Sequence, residues 1–295
     1  MTNAPINFRQ ERDFGDLFNA TFGFISQEFK KLATAILYFV VPFFLLAAIA
    51  MTIYNIKAQD LMLQAIVPGE KPNPLAVFSA MGSLISYVGV ALILSIIASS
   101  MMFCTVYGYI RRYVQYGSGG FSINDVWLDV TKYFWPVLGA AFVTGLIILA
   151  GTIFCLIPGI YFGVALCIIF CIMIFEDQKF PAAFRRSFKL VKTNWWLTFG
   201  ALLIAIVIVY IMIIFLSIPS ILMGFKSMFA NLKSGQNVLM DMSMGFYIVS
   251  SLTGLLTQVL LVIPTVLIAF LYFSFVEKAE KPSLMDKIDH INDNE

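Results

Sequence analysis

The sequence predicts an all-α polytopic membrane bundle with six transmembrane helices and three cytoplasmic interfacial amphipathic helices. Three observations carry that prediction. Five charge-free stretches are each long enough for a helical crossing, which takes about 20 apolar residues. Hydrophobic residues make up 60% of the chain, charged residues 12%, and the mean hydropathy is +0.88. A soluble domain carries roughly 45–50% apolar and about 25% charged residues, so lipid must replace water around much of this chain. The apolar runs are also continuous, whereas barrel strands alternate over about ten residues.

The chain reads as one integral membrane domain over 1–295. A cytoplasmic N-terminal segment (1–32) precedes the six-span region (33–276), and a polar cytoplasmic tail (277–295) follows it. Arg9, Glu11, Arg12, Asp13 and Asp16 stand where a signal peptide needs an apolar stretch, so none is expected. The first interfacial helix is expected over Asp13–Lys31, where Phe14, Phe18, Phe22, Ile25 and Phe29 recur at helical spacing. Span 1 follows over Ala33–Tyr54. Span 2 lies within Leu75–Ile110, too long to cross upright, so it must tilt, bend or run past the bilayer.

The second interfacial helix is expected over Ser122–Tyr133. Ser122 and Asp125 at its start fit a capping box, with each side chain bonding the other's backbone N–H. Spans 3 and 4 share Phe134–Phe175, broken at Pro158-Gly159, a strong turn signal. Two full crossings and a re-entrant hairpin both return the chain to the same side. The third interfacial helix covers Pro181–Trp196, with Phe184, Phe188, Val191 and Trp195 as its apolar stripe. Span 5 runs over Phe199–Leu222, and span 6 over Phe246–Val276 with Pro264 inside. Residues 21–29 align with residues 187–195, which suggests three copies of one unit: an interfacial helix and a two-span hairpin.

Cationic side chains set the expected orientation. With six spans, only Lys57, Lys71, Lys226 and Lys233 of the 19 Lys and Arg residues fall opposite the termini. Loops rich in Lys and Arg stay inside, so both termini are expected in the cytoplasm. Trp127, Trp135, Trp195 and Trp196 all fall at the cytoplasmic ends of spans 3 and 5. Indole favours that headgroup depth.

Most chemistry finds no residues to carry it. The predicted spans contain no acid, base or histidine, and His290 sits in the polar tail. Cys104, Cys155, Cys167 and Cys171 lie in apolar stretches and read as small hydrophobic filler. A net charge of +2 gives no general pull toward nucleic acid. Gln258 is the most polar mid-span side chain and is expected to hydrogen-bond another helix.

The central stretch carries a resemblance. Ile157-Pro158-Gly159-Ile160-Tyr161, then Phe175-Glu176-Asp177, then Ala182 through Trp196 resembles the six-span bacterial proteins related to the YciC-like family. It also resembles the membrane domain attached to some glycerophosphoryl diester phosphodiesterases. The resemblance implies an inner-membrane, six-helix protein of prokaryotic origin. It carries over no catalytic residue, because in those fusions catalysis belongs to a separate soluble barrel.

The expected role is therefore non-enzymatic, associated with the envelope or its lipids. No catalytic, cofactor-binding or metal-binding residue is expected. Arg185, Arg186, Lys189, Lys192, Trp195 and Trp196 are the candidate contacts to headgroups or a partner protein. The expected partner is the lipid bilayer, including anionic lipids. The alternative is a transporter or permease for a neutral or lipidic substrate, using kinks at Pro219 and Pro264 and polar groups such as Gln258 and Thr257.

Overall fold

A computed structural model describes residues 6–65, 74–234 and 244–281. Ten helices and no strand occur among the described residues. In chain order they are α1 (Phe14–Phe39), α2 (Val41–Ala65), α3 (Pro74–Tyr116), α4 (Ile123–Phe154) and α5 (Leu156–Ala165). Then come α6 (Ile169–Phe175), α7 (Phe180–Thr193), α8 (Trp195–Ser234), α9 (Met244–Leu260) and α10 (Val262–Glu280). Six segments are long and apolar enough to cross a membrane: Val41–Ala58, Gly82–Tyr116, Ile123–Phe154, Leu156–Phe175, Trp195–Phe229 and Gly245–Glu280. They leave large apolar side chains uncovered, such as Phe154 (89% exposed) on α4 and Phe215 on α8. Water would not tolerate so much exposed hydrocarbon, so lipid is the solvent there. This is a multi-pass, all-α membrane protein.

The element boundaries differ from the expected ones, for local reasons. α1 does not stop near Lys31. It runs on to Phe39, and the break falls at Val40, beside Pro42, which has no N–H to continue the ladder. The first apolar segment therefore starts at Val41 rather than Ala33. The second interfacial segment and span 3 form a single helix, α4. Its start is the expected capping box: Ser122 N donates to Asp125 Oδ2 at 2.8 Å, and Asp125 N donates to Ser122 Oγ at 3.4 Å. α7, like α1, is separate from the span behind it; it ends at Thr193, with Asn194 as its cap.

The hairpin turns earlier than Pro158-Gly159. Cys155 is extended (φ −169°, ψ 145°), and Pro158 sits inside the first turn of α5, where a missing N–H costs little. The second arm, Leu156–Phe175, has 20 residues, the number a crossing takes, although it is broken into α5 and α6 at residues 166–168. By length, two full crossings fit.

The chain divides into two compact units. The first holds residues 1–40, 99–209 and 261–295. Its centre is α10, buried nearly all round from Val262 to Phe275, together with the fully enclosed α6. Phe8, which stands among charged residues near the N-terminus, is 2% exposed. It stacks on Phe270 at 4.2 Å and meets Phe24 and Tyr113 edge-on. α1 turns Leu17, Thr21, Phe24 and Glu28 inward, while Phe22 and Phe29 of the predicted stripe stay exposed. The second unit holds residues 41–98 and 210–260, with α2 and α9 packed together. Lys71, Lys287 and His290, and the tail beyond 281, lie outside the described residues.

Candidate functional site

The predicted contact residues lie on α7 and at its junction with α8. Lys179 precedes α7, and Pro181 sits in the first turn, where its fixed φ suits a helix start. At about 100° per residue, Ala183, Ser187, Leu190 and Val191 share one face, and all are buried. Ser187 Oγ donates to Ala165 O at 2.6 Å, satisfying a carbonyl left open at the end of α5. Arg185, Lys189 and Lys192 fall half a turn away and are exposed, with no ion pair among the described residues.

Of the predicted stripe, only Val191 lies on the buried face, where the small Ala183 and Ser187 let the helix approach closely. Phe184 and Phe188 sit half-buried on its flank, with Phe188 6.1 Å from Phe162 and 6.4 Å from Tyr161 of α5. Hydrophobic size alone had pointed to the flank.

Trp195 begins α8. Its ring stacks on Phe199 at 5.2 Å and on Tyr161 at 6.0 Å, and meets Trp196 edge-on at 4.8 Å. Trp196 is 78% exposed. Tyr161 and residues 192–197 line an open groove of about 560 Å³. Trp195 Nε1 is buried without an acceptor among the described residues. Asn194 Oδ1 accepts from Lys278 Nζ at 3.3 Å. The structure thus brings Lys192, Trp195 and Trp196 to one groove, with Lys189 and Arg185 along the adjoining face.

Arg186 belongs elsewhere. Its Nε lies 2.5 Å from Glu176 Oε2, and its Nη1 and Nη2 reach Glu280 at 2.9 and 3.2 Å. Tyr272 Oη donates to Glu176 Oε1 at 2.8 Å. Partial burial opposes the charge, but Glu280 and Glu176 outweigh it and hold the guanidinium above its ordinary pKa.

Sequence reasoning missed the ion-pair belt to which Arg186 belongs. Arg111 donates to Tyr133 Oη, to Ile174 O at 2.8 Å and to Asp177 Oδ2 at 2.8 Å. Lys132 reaches Asp177 Oδ1 at 2.7 Å, and Tyr133 donates to the same oxygen. Arg112 grips Asp129 with two bonds of 2.6 and 2.9 Å. The available signal was the short Arg111-Arg112 pair facing Asp129 and Glu176-Asp177 across predicted span ends.

Asp177 is the hub. Burial pushes its pKa up, but bonds from Lys132, Tyr133 and Arg111 outweigh that and hold the carboxyl below the usual carboxylate range. Its backbone is left-handed (φ 54°), a conformation Asp and Asn tolerate better than most residues. Since the folded pKa lies below the unfolded value of about 3.9, this stabilisation is complete above that value. It is lost as pH falls through the folded value. Thermal midpoints from pH 5 to pH 2 should therefore fall more steeply for the native protein than for Asp177→Asn. Parallel slopes would remove Asp177 as the acid-sensitive hub.

Asp125, Asp129, Glu176 and Asp177 are thus each engaged: Asp125 in the capping box, Asp129 with Arg112, Glu176 with Arg186 and Tyr272, and Asp177 with Arg111 and Lys132. Among the described residues, no group of three or more His, Cys, Asp or Glu side chains is placed to hold a metal.

A family model matches residues 17–278. The chain belongs to that family, a domain of unknown function (DUF7847). The match takes in the ion-pair belt except Glu280, and the whole of α7 and the groove. No curated protein and no solved structure matches the chain.

Proposed function

We propose that this protein is a non-enzymatic component of a bacterial inner membrane, with both termini in the cytoplasm and a lipid-associated role in the envelope. On this reading, the cationic face of α7 and the Trp195–Trp196 groove hold anionic lipid headgroups. It is also of one kind with the YciC-like six-span proteins. The observation that carries the reading is the placement of Arg185, Lys189 and Lys192 together, exposed and opposite the buried face of α7. A basic helix with aromatic flanks sits at headgroup depth, and Lys192 shares its groove with Trp195 and Trp196.

Each basic side chain near an anionic leaflet contributes about 1 kcal/mol, less where salt screens it. The triple variant Arg185→Gln, Lys189→Gln, Lys192→Gln should thus retain phosphatidylglycerol at least tenfold less well. Native mass spectrometry of protein from mixed micelles reads that retention. Undiminished retention would remove the headgroup role. Orientation is tested separately: a cysteine at position 189 should label in inverted vesicles and not in intact cells.

A second reading, a permease for a neutral or lipidic substrate, draws on a different feature. The second unit contains a cavity lined by polar but uncharged side chains, Gln258 among them.

A further inference from the structure

The cavity of the second unit measures about 490 Å³, within the roughly 300–1,000 Å³ range of ligand sites. It follows residues 44–55 of α2 and 246–258 of α9, with Ser95 of α3 on its wall. Twelve helical residues extend about 17 Å, so the space is long and narrow. Phe44, Met51, Phe246 and Leu255 give it apolar walls, and no Asp, Glu, Lys or Arg lines it.

Its polar groups are incompletely used. Asn55, which is exposed, and Ser250 and Gln258, which are half-buried, line it, and their side chains make no hydrogen bond among the described residues. The expected bond from Gln258 to a neighbouring helix is not formed. Thr52 Oγ1 donates to Ala48 O at 2.8 Å, and Ser251 Oγ donates to Tyr247 O at 2.7 Å. These two hydroxyls also meet each other at 2.5 Å. Each hydroxyl has one proton, so two protons face three contacts. Turning either hydroxyl frees an acceptor for an incoming donor.

Asn55 and Gln258 lie on membrane-spanning segments, and where lipid rather than water covers them, amides without a partner in the protein call for one. A carboxamide offers both donors and acceptors, and so fits a group that does the same. A formal charge would find no counter-charge on these walls and would be expensive to bury. We propose that this cavity binds one molecule of an uncharged amphiphile: an apolar chain ending in a hydroxyl, ester or amide group. The chain would lie along the Phe44–Met51 and Leu255 walls, and the polar end would pair with Asn55 and Gln258.

The inference does not depend on the headgroup role, and it rests on the permease reading only for the substrate class. Ligand flux is a separate measurement: binding without flux would overturn transport and leave the site in place. The test uses native mass spectrometry of the full chain in micelles, with 1-monooleoylglycerol and oleate as probes at equal concentration. The native protein should retain one monooleoylglycerol and at least tenfold less oleate. Asn55→Leu with Gln258→Leu should lower monooleoylglycerol retention at least tenfold.

Gly254→Leu supplies the control for folding. A Cβ there meets nothing within 4 Å, so the added side chain should enter the cavity without strain and block retention. The Arg185, Lys189 and Lys192 triple variant should retain the probe like the native protein. Equal retention of oleate, no retention by the native protein, or undiminished retention by monodisperse Gly254→Leu would each overturn the proposal.

Discussion

Gly159→Leu is expected to leave no monodisperse protein after detergent extraction. A Cβ at position 159 would lie 2.2 Å from Thr152 Oγ1 and 2.9 Å from both Thr152 N and Cα. A hydroxyl can rotate away, but backbone atoms cannot. Across the contact, a Cβ on Gly151 would come within 3.2 Å of Gly159 N and Cα. The backbones of α4 and α5 therefore touch, just past the extended bend at Cys155. Overpacking a core where side chains can shift costs roughly 1–3 kcal/mol. Here the two arms must separate, so even Gly159→Ala should cost at least about 3 kcal/mol.

Gly163, one turn further along α5, is the control, because a Cβ there meets nothing within 4 Å. Gly163→Ala should be neutral or stabilising by up to about 1 kcal/mol, from helix propensity alone. Thermal denaturation in detergent separates the two variants. A Gly159→Leu protein with the native midpoint would disprove the close approach.

The same hairpin shows what the sequence could and could not reveal. The apolar run and the Pro-Gly pair were enough to predict a turn. They misplaced it by three residues, because Pro is also at home in the first turn of a helix. Class and span number follow from run length and charge, which are properties of short windows. Facing direction does not, because it depends on what lies opposite. On α1 the phenylalanines look like the inward stripe, yet Thr21 and Glu28 are buried. Glu28 is held by Tyr109 Oη at 2.7 Å and Ser118 Oγ at 2.5 Å, partners more than 80 positions away. Where lipid covers the outer face, large apolar side chains gain by pointing outward, and the usual rule of apolar residues inward loses its force.

The alignment of residues 21–29 with residues 187–195 did capture something that periodicity missed. Thr21 and Ser187 are both fully buried hydroxyls, and Phe24 and Leu190 both point inward. Of the six predicted contact residues, five lie on the cationic face or at the groove. Arg186 departs from them because Glu176 and Glu280, both distant in sequence or across a loop, meet it. No local pattern distinguishes Arg186 from Arg185. Their separation follows from 100° of helix rotation and from what packs on each side.

Phe8 stands among charged residues near the N-terminus, and truncating it should have the other large effect. Its ring is enclosed by Phe24, Tyr113, Phe270 and Phe273. Nearby, Ile6 N donates to Tyr113 Oη at 3.0 Å, Arg12 N donates to Ser274 Oγ at 3.1 Å, and the Arg12 guanidinium lies 4.9 Å from the Phe270 ring centroid. The segment is thus pinned at both ends, with Phe8 as its apolar anchor. Phe→Ala in a packed core costs about 3–5 kcal/mol.

Residues 6–12 form no helix and carry few other buried side chains. The loss should therefore appear as local release rather than global unfolding. Three kcal/mol is more than a hundredfold in the open population, and cleavage of an opened segment tracks that population when reclosing is fast. Trypsin should accordingly cut after Arg12 about a hundredfold faster in Phe8→Ala, while the thermal midpoint moves much less. Phe8→Leu should fall between the two. Phe14→Ala, at a ring 37% exposed, should leave the cleavage rate within a few-fold of native. If Phe8→Ala were cut at the native rate, the N-terminal segment would not depend on this ring, and its polar contacts alone would hold it to Tyr113 and Ser274.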